Sequence, residues 1–101
     1  MAVPKYRPAT KIVLKILECI SRSQAKGRAL KTHVIQCANL KTTSAEKYIT
    51  MLKEAGYIEE KRESWGEREI IVYELTPLGR ERYSWFRKIN DELFMSYDGM
   101  D

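Results

Sequence analysis

"NLKTTSAEKYITMLKEAGYI" (residues 39–58) is the stretch on which the reading of this chain turns. Ala45, Tyr48, Ile49, Leu52 and Ala55 recur at helical spacing, and at about 100° per residue they share one arc. Thr43, Lys47 and Thr50 lie opposite, flanked by Ser44 and Met51. A solvated helix face is usually richer in paired Glu and Lys. A front of short hydroxyls and a lysine on an apolar back suits close approach to another polymer. Thr43-Ser-Ala-Glu46 matches a capping box, so the helix is predicted over 43–55, with Gly56 as its C-terminal stop.

Beyond Gly56 the period changes. "YIEEKRES" and "REIIVYEL" read as two strands around "SWGE", a hairpin over 57–75 with Gly66 in its turn. Ile70, Val72 and Glu74 point one way, and Ile71, Tyr73 and Leu75 the other. Thr76 is a good N-cap and Pro77 a good first helical residue, so a last helix opens there and runs to about Met95 or Tyr97. Upstream, Leu30, Val34, Ile35 and Ala38 form the stripe of a helix from about Ala29 to Ala38. Leu40, in the turn that follows, can drop into the core and fix the angle between the two helices. A first helix follows Pro8, with Ile12, Val13, Ile16, Leu17 and Ile20 on one face, and "SRSQAKGR" ends it. The expected organisation is a basic arm (1–8), a domain (9–76), a C-terminal helix (77–97) and a frayed tail (98–101).

With 101 residues, 44% of them hydrophobic, the chain suits one domain with a small core. The net charge of +4 hides an asymmetry: residues 1–53 carry +9 and residues 54–101 carry −5. A strongly basic first half suits a polyanionic partner. The most apolar early stretch, "KIVLKILECI", is broken by Lys15 and Glu18 and falls short of the ~20 apolar residues of a membrane span. No membrane partner is expected, and the chain reads as intracellular. Cys19 and Cys37 read as buried structural thiols, with a disulfide or redox pair open if the two helices bring the sulfurs together. His33, the sole histidine, reads as a surface helix residue. There is no glycine-rich phosphate loop, metal-ligand cluster or nucleophile motif, so no catalytic residue, metal or cofactor is expected and the chain reads as a non-enzyme.

The order helix, helix, helix, hairpin, helix gives an α+β, mainly α, fold. Two helices joined by a short turn, with a basic first half, suggest a helix-turn-helix whose third helix reads the DNA major groove. Lys41, Thr42, Thr43, Ser44, Lys47 and Thr50 are its candidate contacts, and Lys5, Arg7, Arg28 and Lys31 are candidates for the DNA backbone. The chain also resembles the winged helix-turn-helix family. The likeness rests on "ANLKTTSAEKYITMLKEAGYIEE", the hairpin around "SWGERE", and "VYELTPLGRERY", and covers about residues 10–85. In pattern it looks most like small archaeal dimeric winged-helix proteins whose last helix pairs with its partner. Regulators of the PadR and MarR kinds share much of it. The resemblance implies a three-helix core, a hairpin wing and a C-terminal dimerisation helix. It makes Lys61, Arg62 and Arg68 wing contacts to DNA. Trp65, near the wing tip, packs either on a sugar or partner subunit or back onto the wing. One departure is the wing's own acidity: it carries Glu59, Glu60, Glu63, Glu67 and Glu69 as well.

The last helix has an apolar stripe of Leu78, Trp85, Phe86, Ile89 and Leu93, widened by Tyr83, Phe94 and Tyr97. That is broader than a helix on a small monomer needs, so a homodimer is expected through Tyr83, Phe86, Ile89, Leu93, Phe94 and Tyr97. The alternative is that the aromatics wrap the chain's own first helix. The expected function is a dimeric, sequence-specific transcription regulator on double-stranded DNA, cytoplasmic and nucleoid-associated. A non-specific architectural DNA-binding protein and a protein-interaction module are the competing readings.

Overall fold

The computed structural model describes residues 9–94. Four helices and three short strands follow one another: α1 (Ala9–Ala25), β1 (Ala29–Leu30), α2 (Lys31–Ala38), α3 (Thr42–Glu54), β2 (Ile58–Trp65), β3 (Arg68–Leu75) and α4 (Pro77–Phe94). The mainly helical α+β architecture matches the expectation from the sequence.

The core is assembled from the periodic positions. On α1, Ile12, Val13, Ile16, Leu17 and Ile20 are all buried, and Cys19 joins them. Val34 and Ala38 of α2, and Ala45, Ile49 and Leu52 of α3, close over that face. Each large aliphatic side chain buried in this way contributes about 1.5–3 kcal/mol. Leu40 is half-buried against the same cluster, as its place in the turn suggested. Ala55 is exposed, because the chain leaves the helix there for Gly56.

The two long strands form an antiparallel hairpin from Ile58↔Leu75 to Trp65↔Arg68. Its inward face carries Ile58, Tyr73 and Leu75, with Ile71 half-buried beside them, in the alternation read from the sequence. The strand β1 departs from the sequence-based expectation. Ala29 and Leu30, read as the start of the second helix, pair instead with Tyr73 and Val72, giving the sheet order β1-β3-β2. Two residues are too few to show a period, and only the neighbouring β3 edge makes them a strand.

A second correction concerns the cysteines. Where α1 and α2 cross, the Cα atoms of Cys19 and Cys37 are 5.9 Å apart and the sulfurs are bonded. That separation is normal for a disulfide. Cys19 is fully buried as expected, but Cys37 is exposed. The crossing of two helices is a tertiary fact that cysteine spacing does not carry.

The helix α4 is rooted at the foot of the hairpin. The Thr76 hydroxyl accepts from the Gly79 N–H (2.9 Å), the capping bond expected of it, and donates to the Gly56 carbonyl (2.6 Å). The Thr76 N–H donates to the Tyr57 carbonyl (3.0 Å). Gly79 then lies directly against Tyr57: a Cβ on Gly79 would stand 1.8 Å from the Tyr57 carbonyl oxygen. No rotamer relieves a clash between a Cβ and backbone. Gly79→Ala is therefore expected to destabilise the fold by at least ~3 kcal/mol. A thermal melt in which the variant unfolds within ~2 °C of the parent would contradict this packing.

Candidate nucleic-acid interface

The helix α3 follows α2 after a three-residue turn. Asn39, in the left-handed conformation (φ 55°), closes α2, with its N–H on the Gln36 carbonyl and the Leu40 N–H on the Ile35 carbonyl. Gly56 (φ 79°) ends α3 the same way, through Tyr57 N–H to the Leu52 carbonyl. With its back anchored by Ala45, Ile49 and Leu52, α3 exposes Thr42, Thr43, Lys47, Thr50 and Met51, with Lys41 just ahead and Ser44 half-buried. The sequence-predicted reading residues thus share one exposed end and face of a single helix.

The start of α3 differs from the expected capping box. The helix begins at Thr42, with Lys41 in the N-cap position and no side-chain cap. Glu46 does not turn back to Thr43; it forms an ion pair with Lys31 at the start of α2. Among the described residues, the first-turn hydroxyls and N–H groups of α3 are then uncommitted to a capping bond. Helix N-termini in this condition favour anionic oxygen.

The charged residues fall into two groups. Among the described residues, Lys41, Lys47 and Arg68 have no carboxylate partner. The other basic candidates do. Arg28 pairs with Glu63 (2.8 Å), Lys61 with Glu74 (3.1 Å), and Arg62 with Glu69 (3.0 Å) and Glu60 (3.7 Å). Six acidic and three basic residues stand on 58–75, so the hairpin is net negative. Trp65, 58% exposed at the end of β2, has the Arg28 guanidinium 5.4 Å from its ring centroid. Lys5 and Arg7 lie outside the described residues.

Two titrating groups beneath this surface are displaced. The hydrogen bond from Lys53 holds the Glu60 carboxyl below its usual range, against a smaller opposing effect of burial. Burial pushes the Tyr73 hydroxyl up to about 12, with Glu60 and Glu46 adding to the shift. Both groups thus keep one protonation state near neutrality, which suits a fixed support better than a proton-transfer site. Among the described residues no cluster of His, Cys, Asp and Glu has the makings of a metal site, and no helix is long and apolar enough to cross a membrane.

On α4, Tyr83 and Phe86 are half-buried against the chain's own core. Leu78 (38%), Trp85 (51%), Ile89 (51%) and Leu93 (56%) are exposed. The inner edge of the helix thus packs on the chain's own core, and the outer edge stands exposed. Trp85 is not among the interface residues expected from the sequence, yet it lies within the exposed stripe with the Arg82 guanidinium 4.1 Å from its ring. The helical spacing of Trp85, Ile89 and Leu93, four residues apart, was the available signal. Tyr97 lies outside the described residues.

A family model described as winged helix-turn-helix matches residues 6–94. The chain belongs to the winged helix-turn-helix family. Three solved structures share the fold. The protein smu.1704 from Streptococcus mutans UA159 is 22% identical, with a TM-score of 0.78 over 99% of this chain and 92% of its own. Sso10a-2, a DNA-binding protein from Sulfolobus solfataricus, is 25% identical, with a TM-score of 0.62 over 93% of both chains. The adhesin competence repressor AdcR from Streptococcus pyogenes is 19% identical, with a TM-score of 0.63 over 95% of this chain and 66% of its own. A comparison with the curated proteins finds no match. In the terms of the family, α2 and α3 are the helix-turn-helix and β2–β3 is the wing.

Because no capping bond depends on it, Thr43→Ala is expected to change stability by less than ~0.5 kcal/mol. Loss of a working capping box would cost about 1 kcal/mol, a difference that chemical denaturation resolves.

Proposed function

We propose that this protein is a dimeric, sequence-specific transcription regulator. It places α3 in the major groove of double-stranded DNA, lays the wing beside the backbone, and pairs with a second copy through α4. The observation that carries the reading is the front of α3: Lys41, Thr43, Lys47 and Thr50 are exposed on a helix whose opposite face is locked into the core. Short hydroxyls let the helix approach base edges, and the unpaired lysines supply the charge that DNA phosphates attract. Sso10a-2, a neighbour in fold, is described as a DNA-binding protein. A DNA partner would place the protein at the nucleoid.

The second copy is supported by the α4 stripe. Trp85, Ile89 and Leu93 are each at least half exposed, and Leu78 extends the row toward the wing. A contiguous row of large apolar side chains on a small protein marks an interaction surface. A symmetric pairing would use the same row on both copies. It would set two reading helices about one DNA turn apart, ~34 Å, over a near-palindromic site.

A reading as a non-specific architectural DNA-binding protein has one observation in its favour. Thr43, Ser44 and Thr50 offer single hydrogen bonds in place of the bidentate pairing that discriminates bases most strongly. Titration against a pool of random duplexes at several salt concentrations, with selection of the bound sequences, separates the two. A near-palindrome should be enriched; salt-sensitive binding without enrichment would favour the architectural role, and no binding at low salt would point to a protein-interaction module. Lys47→Ala is expected to weaken binding about tenfold, and a phosphate contact there would also lower the salt slope by about one unit. Ile89→Asp is expected to yield a monomer in sedimentation and to weaken DNA binding at least tenfold. A dimeric Ile89→Asp protein with full DNA affinity would rule out α4 as the interface.

A further inference from the structure

The helix α2 is eight residues long, shorter than the ~12–15 residues that hold a helix together unaided. Only Val34 and Ala38 of it are buried. Its N-terminus has no side-chain cap. Its attachment to α1 is completed by a covalent bond near its far end, between Cys37 and Cys19. The two sulfurs differ in surroundings: Cys19 is fully buried within the core cluster, whereas Cys37 belongs to an exposed residue. A thiol arriving from solvent therefore has one side of the bond to attack. The adjoining turn, from Asn39, sets where α3 begins, so whatever holds α2 also holds the reading helix.

We infer that the Cys19–Cys37 bond is a redox site that controls how firmly α3 is presented, with low-molecular-weight thiols or a protein dithiol as its reductant. This rests on the DNA-binding reading for its output. In the forward step a thiolate attacks the sulfur of Cys37. The S–S bond breaks, a mixed disulfide forms on Cys37, and the Cys19 sulfur leaves as a thiolate and takes up a proton. A second thiolate attacks the external sulfur of the mixed disulfide, and the Cys37 sulfur leaves as a thiolate and takes up a proton from water. The balance is one protein disulfide and two thiols giving two protein thiols and one external disulfide, a transfer of two electrons. Reoxidation by an external disulfide runs the same steps backwards.

The test uses the full chain, oxidised in air and then treated with dithiothreitol, with Cys37→Ala as a form that stays open. That residue is exposed, so its replacement leaves the core filled. Thiol titration should find no free thiol before reduction and two after it. Reduction should lower Tm by roughly 10–20 °C. It should speed amide exchange across 31–38 at least tenfold relative to α1, and weaken duplex DNA binding at least tenfold at a temperature where both forms are folded. Cys37→Ala should match the reduced protein and ignore dithiothreitol. Two free thiols before reduction would overturn the inference, as would exchange and affinity unchanged by it. DNA bound equally by both forms would overturn it and leave the DNA reading intact. Binding by neither form would overturn the DNA reading and, through it, this one.

Discussion

The backbone contact between Gly79 and Tyr57 is the constraint on which the arrangement depends. Three elements meet there: α3 has just ended at Gly56, β2 is about to begin at Ile58, and α4 passes back over the same two residues. Thr76 binds both carbonyls, Gly56 through its hydroxyl and Tyr57 through its N–H, and also caps α4. With a side chain at residue 79, α4 would be held away from the hairpin. Because glycine lets the backbones touch, the direction of α4 is set relative to the end of α3. In the proposed dimer that direction becomes the separation between two reading helices. A residue with no side chain, far from the front of α3, thus takes part in setting the spacing at which DNA would be read.

The electrostatics of the surface follow from where the acids fall. The basic first half of the chain supplies α3 and its approach, and the acidic second half supplies the wing. Antiparallel pairing places Glu74 within reach of Lys61 and Glu69 within reach of Arg62. Exposed pairs of this kind are worth about 0–1 kcal/mol, so a phosphate can displace them cheaply. The displaced carboxylates would still stand beside the same phosphate. The wing is therefore better placed to orient the protein than to add affinity. Arg68, unpaired at the wing tip among the described residues, is the exception. Lys41 and Lys47, at the front of α3, carry no such internal competitor among the described residues.

What was legible in the sequence is what a repeating pattern encodes. The buried faces of α1 and α3, the inward strand residues Tyr73 and Leu75, and the Thr76 cap all follow from local period or capping chemistry. The front of α3 was legible for the same reason, since a helix with a known back has a known front. The misses share a different cause. Ala29–Leu30 becomes a strand only because β3 offers an edge. Glu46 leaves the capping box because Lys31, fifteen positions earlier, comes within reach. Cys19 meets Cys37 because two helices cross. Gly79 looked like part of a helix opening until Tyr57 lay against it. On α4 the wide stripe showed that more was apolar than one core needs. Which edge would face inward depended on the position of α1, which no period records.

The hydroxyl-rich front of α3 and the apolar row on α4 bear on the same question. A threonine or serine hydroxyl makes a single directional bond to a base edge, whereas a good bidentate pair discriminates by about 1–3 kcal/mol. One copy of this helix would therefore carry modest specificity, however well placed it was. Pairing through α4 would double the number of bases read without enlarging the domain, and the two discriminations would add in free energy and so multiply in equilibrium constant. Rigidity matters for the same reason, because a reading helix that wavers spreads its few hydrogen bonds over several registers. In the proposed dimer, the glycine contact that aims α4 and the disulfide that holds α2 would both act on specificity, although neither touches a base.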